Sequence, residues 1–313
     1  MENNVQIGYC CINLSLPKGH NVNRRCIKRT FLEKGLGYIS ELAISNLRGT
    51  IEVIKWNEKN NVKVYRLTSN LFPWHSEYEF DDLPNYDEIL TLLREIGSLS
   101  KKYNQRIGFH PGHFNVLGSP NKRALDVTIN ELNKHGEILD LMGLPQTPAY
   151  SINIHCNGVY EGKTETLTRW RNNWKRLDDG ARKRLVVEND DKASMYSVKD
   201  LYEEVYQKIG VPITFDYHHH RLNSSGLTEE EAIKLAAKTW PKGVRQLTHY
   251  SSSKRTNEDC TVKVQAHAEY IYEKINTYGL PIDIELESKG KDLALLKYRE
   301  NEDSLLNSYI SLN

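Results

Sequence analysis

Arg184-Leu185-Val186-Val187-Glu188 and Ile213-Thr214-Phe215-Asp216 are short apolar runs that each close on a carboxylate, and a helix fits between them at Val198–Gln207. A strand, a helix and a second strand in that order give parallel strands joined by a right-handed crossover. The unit repeats in both directions. Toward the N-terminus the strand candidates are Val5–Cys11, Val62–Leu67, Arg106–His110 and Ala149–His155; toward the C-terminus they are Val244–Tyr250 and Ile282–Glu287. Further helices fit near Ile27–Leu47, Tyr86–Tyr103, Thr164–Leu177 and Lys291–Leu306. Leu125, Ile129, Leu132 and Leu139 share one helical face, and Val264, Ala268, Ile271 and Ile275 have the same periodicity. Thr228 with Glu231 three residues on reads as a capping box.

Eight strands alternating with eight helices predict an α/β fold, a single (β/α)8 TIM barrel over residues 1–313, with its sites at the C-terminal strand ends. A doubly wound open sheet fits less well, because no Gly-rich dinucleotide turn follows the first strand. The 42 Lys+Arg against 41 Asp+Glu leave a net charge of +1, so a nucleic-acid partner must be held by a local basic surface. No apolar run is long enough to span a bilayer, and the polar N-terminus lacks a signal-peptide core. Five cysteines without a Cys-x-x-Cys pair fit neither a disulfide framework nor a zinc ribbon, and point to a cytoplasmic setting. Cys10, Cys11 and Cys156 read as small core residues.

The chemistry is in the strand ends. His75 follows strand two, His110 and His113 strand three, and His155 strand four; Glu188 and Asp216 end strands five and six. His218, His219 and His220 come next, His249 ends strand seven with His267 beyond it, and Glu287 closes strand eight. A barrel gathers such residues at one mouth. The mixed N/O donor set suits Zn²⁺, Mn²⁺ or Fe²⁺ rather than Mg²⁺ or Ca²⁺. Eight candidates imply two or three ions, with Glu188 able to bridge neighbours ~3.5–4 Å apart, the spacing that clamps attacking and leaving oxygens on phosphorus. Of the three adjacent histidines, His219 is expected inside and the other two outside, if the backbone stays extended.

Taken together, Gly8-Tyr9 with Asn13, Tyr65-Arg66-Leu67-Thr68-Ser69-Asn70-Leu71-Phe72-Pro73, His110-Pro111-Gly112, Asn153-Ile154-His155, Val187-Glu188-Asn189-Asp190-Asp191, Asp216-Tyr217-His218-His219-His220 and Glu287-Ser288-Lys289-Gly290-Lys291 resemble the UV damage endonuclease family. The blocks run over nearly the whole chain in the family's order. The resemblance implies a barrel related to the endonuclease IV type and a divalent cluster, Mn²⁺ commonly favoured. It also implies incision of duplex DNA immediately 5′ to cyclobutane pyrimidine dimers and (6-4) photoproducts, with abasic sites often cut too. It places one metal on Glu188, Asp216, His249 and Glu287, a second on His110, His155 and Glu188, and a third on His219 and His267. His75 is implied beside the scissile phosphate, and Tyr9, Asn13, His113 and Phe114 at the lesion.

Here His113-Phe114 replaces the family's Gln-Tyr, and Leu247 stands where some relatives carry a lysine that joins the cluster. Lys289 is a candidate for added charge at the reacting phosphate. Lys254 and Arg255 are candidates for backbone contacts, and the basic run Lys163, Arg169, Arg171, Lys175 and Arg176 reads equally as a wet helix face. No obligate protein partner is implied, and a monomer is compatible with the charge. A sugar isomerase or epimerase of the xylose-isomerase type is the alternative, and a catalytically dead damage-binding module is a third reading.

Overall fold

The apolar runs form a cylinder of eight parallel strands in the computed structural model, which describes residues 5–310. The strands are β1 (Gln6–Cys10), β2 (Val64–Leu67), β3 (Arg106–Phe109), β4 (Ile152–His155), β5 (Leu185–Glu188), β6 (Ile213–Asp216), β7 (Gln246–Tyr250) and β8 (Ile282–Leu286). Each pairs with the next, and β1 closes on β8 with Gln6 opposite Asp283. Every strand ends within one residue of its expected C-terminal limit, so the expected TIM barrel forms.

Helices surround the strands: α1 (Lys28–Lys59), α2 (Tyr86–Lys102), α3 (Lys122–Leu141), α4 (Lys163–Trp174) and α5 (Asp179–Arg182). Then come α6 (Val198–Leu201), continued by a π turn into α7 (Gln207–Ile209), α8 (Tyr217–Leu222), α9 (Glu229–Ala237), α10 (Lys254–Asn257) and α11 (Lys291–Ile310). Helix α1 is longer than expected and breaks at Gly35, whose φ of 65° suits glycine. Thr228 and Glu231 cap α9 reciprocally, as their spacing predicts. No helix of the described residues is long and apolar enough to cross a membrane.

The helix expected from Val264, Ala268, Ile271 and Ile275 is absent. Ala268, Ile271 and Ile275 are buried, so the apolar spacing is real, but the backbone is irregular. Its hydrogen bonds go to neighbours instead: Ala268 N to Ser252 O, Tyr272 N to Ser252 Oγ, and Ile275 N to the Tyr298 hydroxyl. Only α10 separates β7 from β8 as regular structure.

Period-two alternation sets what the barrel encloses. Val64, Val186 and Leu247 point inward with Trp240 as an apolar floor. The next inward residues, Arg66, Glu188 and His249, are polar and lie nearer the mouth. Gly8 on β1 must be glycine, because a Cβ there would come 1.7 Å from the Val64 carbonyl oxygen.

Candidate metal centre

Register places the ligands side by side. His155 on β4 pairs with Glu188 on β5, and Asp216 on β6 pairs with His249 on β7, which pairs with Glu285 on β8. His110 and Glu287 stand one residue past β3 and β8. His219 comes from α8, whose N-cap is Asp216: the Asp216 Oδ1 accepts the His219 backbone N–H at 2.7 Å. The segment is therefore helical rather than extended. His218 and His220 are buried instead of turned to solvent, with the His218 ring 5.5 Å from that of His267.

Glu188 is the hub. Its carboxylate lies 3.0 Å from His110 Nε2, 3.0 Å from His249 Nδ1, 3.3 Å from His219 Nδ1 and 3.6 Å from His155 Nε2. Asn153 donates to the same carboxylate. Three overlapping sets, His110–His155–Glu188, His110–His249–Glu287 and Glu188–Asp216–His249, each bring three donor atoms within 4.8 Å of one another. His267 approaches Glu287 at 3.6 Å, and its ring is 6.4 Å from that of His219. All eight expected ligands thus converge at one mouth, His219 and His267 as the loosest pair.

The charges are strongly coupled. Burial raises the Glu188 carboxyl, but the charges of His249 and His155 and the bonds from His110 and His219 outweigh it and hold it well below the usual range. Glu287 is also held well below, burial being outweighed by Arg66, His249 and His267. Burial opposes charge on His249, His219 and His155, yet the facing carboxylates raise all three. At His110 burial wins and the imidazole is lowered.

Several polar atoms in this buried basin have no well-aligned hydrogen-bond partner: Glu188 Oε1, Asp216 Oδ2, Glu285 Oε2, His155 Nδ1 and both His249 nitrogens. Buried polar atoms are nearly always satisfied. A set of orphaned polar atoms converging from five strands fits divalent cations of the nitrogen- and oxygen-liking kind.

Arg66 and Glu285 belong to the site although sequence reasoning gave them no role. Arg66 Nη1 bonds Glu287 Oε1 at 2.5 Å and lies 3.8 Å from Glu285, while Glu285 Oε2 is 3.2 Å from His249 Nε2. The signal was available in the alternation of Asp283, Glu285 and Glu287 along β8. Asp190 is similar: its Oδ1 lies 3.1 Å from His155 Nδ1.

The remaining expected residues divide. His113 sits over the cluster, its ring 4.8 Å from that of His155, and lines a 430 Å³ cavity with His155, His219, His267, Lys192 and Gln265. Phe114 is two-thirds exposed beside it. Lys289, Lys254 and Arg255 lie past the strand ends, Lys254 4.0 Å from Glu258 and Arg255 bonded to the Val262 carbonyl.

Tyr9 and Asn13 are not presented to a ligand. Tyr9 alternates with inward-facing Gly8 and Cys10, so it points out to α1, fully buried, and its hydroxyl donates to Asn57. Asn13 donates to that hydroxyl and accepts from Ser15 and Leu16 backbone N–H groups. The exposed apolar residues of the same loop are Ile12 and Leu14. His75 is buried too, and its polar contacts are with Phe72 O and Glu131, away from the mouth cluster. In the basic run, Lys163, Arg169, Arg171 and Arg176 pair with Asp200, Glu161, Glu204 and Asp126, which favours the structural reading.

Fold and site together define a TIM-barrel protein with a buried imidazole–carboxylate cluster at its mouth. The family model described as UV-endonuclease UvdE matches residues 5–309. The chain is 31% identical over 303 residues to a UV-damage endonuclease of Schizosaccharomyces pombe, covering 93% of this chain and half of that protein's length. It is 35% identical over 266 residues to a UV DNA damage endonuclease of Bacillus cereus strain G9842, covering 80% of this chain and 79% of the relative. The crystal structure of SacUVDE superposes with a TM-score of 0.83 at 29% identity, covering 96% of this chain and 99% of that one. The chain belongs to the UV-endonuclease UvdE family. It is a DNA endonuclease of that family, which sets aside the isomerase and binding-module readings.

Proposed function

We propose that the chain nicks duplex DNA immediately 5′ to cyclobutane pyrimidine dimers and (6-4) photoproducts, with abasic sites as a further substrate, leaving a 3′-hydroxyl and a 5′-phosphate. The observation that carries this is the Glu188 carboxylate within 3.6 Å of four imidazoles from four separate segments. Glu188, Asp216, His249 and Glu287 would hold one divalent ion, His110 and His155 with Glu188 a second, and His219 with His267 a third. Mn²⁺ is the first choice, and Zn²⁺ or Fe²⁺ suit the same donors. Such ions, when bound, supply an ionised water near neutral pH and neutralise charge on the phosphoryl oxygens.

The chain's own groups do the rest. Arg66 holds Glu287 in place, and Asn153 and Asp190 orient Glu188 and His155. Phe114 on the loop after β3, with Ile12 and Leu14 on the loop after β1, presents apolar surface to a base pair that stacks poorly, where extrusion costs least. His113 faces the same opening. Lys289, Lys254 and Arg255 supply positive charge for the DNA backbone.

The test is a labelled duplex bearing one thymine dimer, incubated with the chain and Mn²⁺. A single nick at the phosphodiester 5′ to the dimer supports the reading. An uncut damaged duplex, or equal cutting of undamaged DNA, contradicts it.

A further inference from the structure

A second group of metal-competent side chains lies behind the barrel wall. Phe109 and His110 are chain neighbours and turn to opposite faces. His110 faces Glu188 inside, whereas Phe109 points outward, its ring 4.9 Å from that of His135. His135 follows Glu131 by one turn of α3, so both side chains share a helix face, and both are buried. His75, from the turn after β2, meets His135 edge-on with ring centroids 4.9 Å apart. One donor atom from each of His75, Glu131 and His135 lies within 4.8 Å of the others.

Hydrogen bonds sort the ring nitrogens. His75 Nδ1 lies 2.9 Å from the Phe72 carbonyl oxygen, and His135 Nδ1 lies 2.8 Å from the Glu131 carbonyl oxygen. A carbonyl only accepts, so each Nδ1 carries a proton and each Nε2 is the atom left to face a ligand. His75 Nε2 stands 3.1 Å from Glu131 Oε1, and His135 Nε2, fully buried, has no partner. One proton could join two of these three acceptors and would leave the third orphaned. A cation satisfies all three. Backbone carbonyls that fix Nδ1–H are also the usual device for aiming a ligating imidazole. Burial, helped by His75, pulls His135 down to about 4, so its imidazole is neutral without losing a proton to a metal.

We propose that His75, Glu131 and His135 form a separate structural site for one divalent transition metal, Zn²⁺ by its donor set, that pins the β2 turn to α3. Two imidazoles and a carboxylate are a zinc-type set, the second carboxylate oxygen or a water completing four-coordination. The site accounts for a cluster that the mouth chemistry leaves unused. It stands apart from the nuclease reading, so its failure leaves that reading untouched.

Crystals of the full chain grown with Zn²⁺ and measured on both sides of the zinc absorption edge test it. The expected result is an anomalous peak about 2.0–2.1 Å from His75 Nε2 and His135 Nε2, distinct from any peak at Glu188. No peak between these three side chains overturns the site, whatever the mouth holds. As a second measurement, His135→Phe lowers bound Zn²⁺ by one equivalent per chain, and unchanged stoichiometry overturns it equally.

Discussion

His249 bridges two carboxylates from different strands: its Nδ1 lies 3.0 Å from Glu188 on β5 and its Nε2 3.2 Å from Glu285 on β8. Both nitrogens are buried and face acceptors, an arrangement that needs either an added proton or displacement of that proton by a cation. The same tension recurs at His155 and His219, which face Asp190 and Glu188.

Glu188→Gln keeps the fold but abolishes nicking, because the amide is a weak ligand and four imidazoles lose their common anion. Circular dichroism checks the fold and a gel assay the nick. Robust nicking by the variant at saturating Mn²⁺ would remove Glu188 from the centre.

Metal uptake releases protons. The pKa values of His155, His219 and His249 are raised in the metal-free fold by facing carboxylates, so these groups hold protons to higher pH than free imidazoles do, and a metal must displace them. Calorimetry of Mn²⁺ binding in buffers of different ionisation enthalpy is expected to show proton release that shrinks as pH rises. The sign for stability follows. Raised histidines stabilise the metal-free fold fully below their unfolded pKa of about 6.5 and stop doing so as pH climbs through the folded values. Chelated protein therefore melts lower at alkaline pH, and a Tm indifferent to pH above neutrality contradicts this.

Arg66→Met destabilises the metal-free chain by about 3–5 kcal/mol, the cost of leaving a buried partner uncompensated. Glu285 and Glu287 then face each other with their guanidinium gone. Urea unfolding with chelator present measures it, and a loss under 1 kcal/mol, the scale of an exposed pair, speaks against the role.

Phe114→Ala narrows the preference for damaged over intact duplex by roughly 1–3 kcal/mol, the worth of one stacking contact. Binding titrations with both duplexes give the ratio. Identical ratios in parent and variant take Phe114 out of recognition.

The barrel and the eight ligands were legible because each strand is a short apolar run whose end coincides with an imidazole or carboxylate. Parity along the strand was the information left unused. It puts Tyr9 outward against α1 and brings Arg66 and Glu285 inward, and neither follows from a motif read as a block. The Val264–Ile275 pattern misled for a different reason. Apolar residues three and four apart suit a loop that dips repeatedly into the core as well as a helix, and here tertiary hydrogen bonds to Ser252 and Tyr298 hold the loop form. At the triple histidine Asp216 caps a helix, so the parity of an extended chain does not hold there. The Glu131–His135 spacing was visible on α3, but only the fold shows that the turn carrying His75 packs against it.

Anomalous diffraction at the manganese edge, from crystals of the full chain loaded with Mn²⁺, shows directly whether cations sit around Glu188. At least two peaks are expected flanking Glu188, one beside His110 and His155 and one beside Asp216 and His249. A mouth without manganese at Glu188, in crystals that diffract well enough to show the side chains, would contradict it.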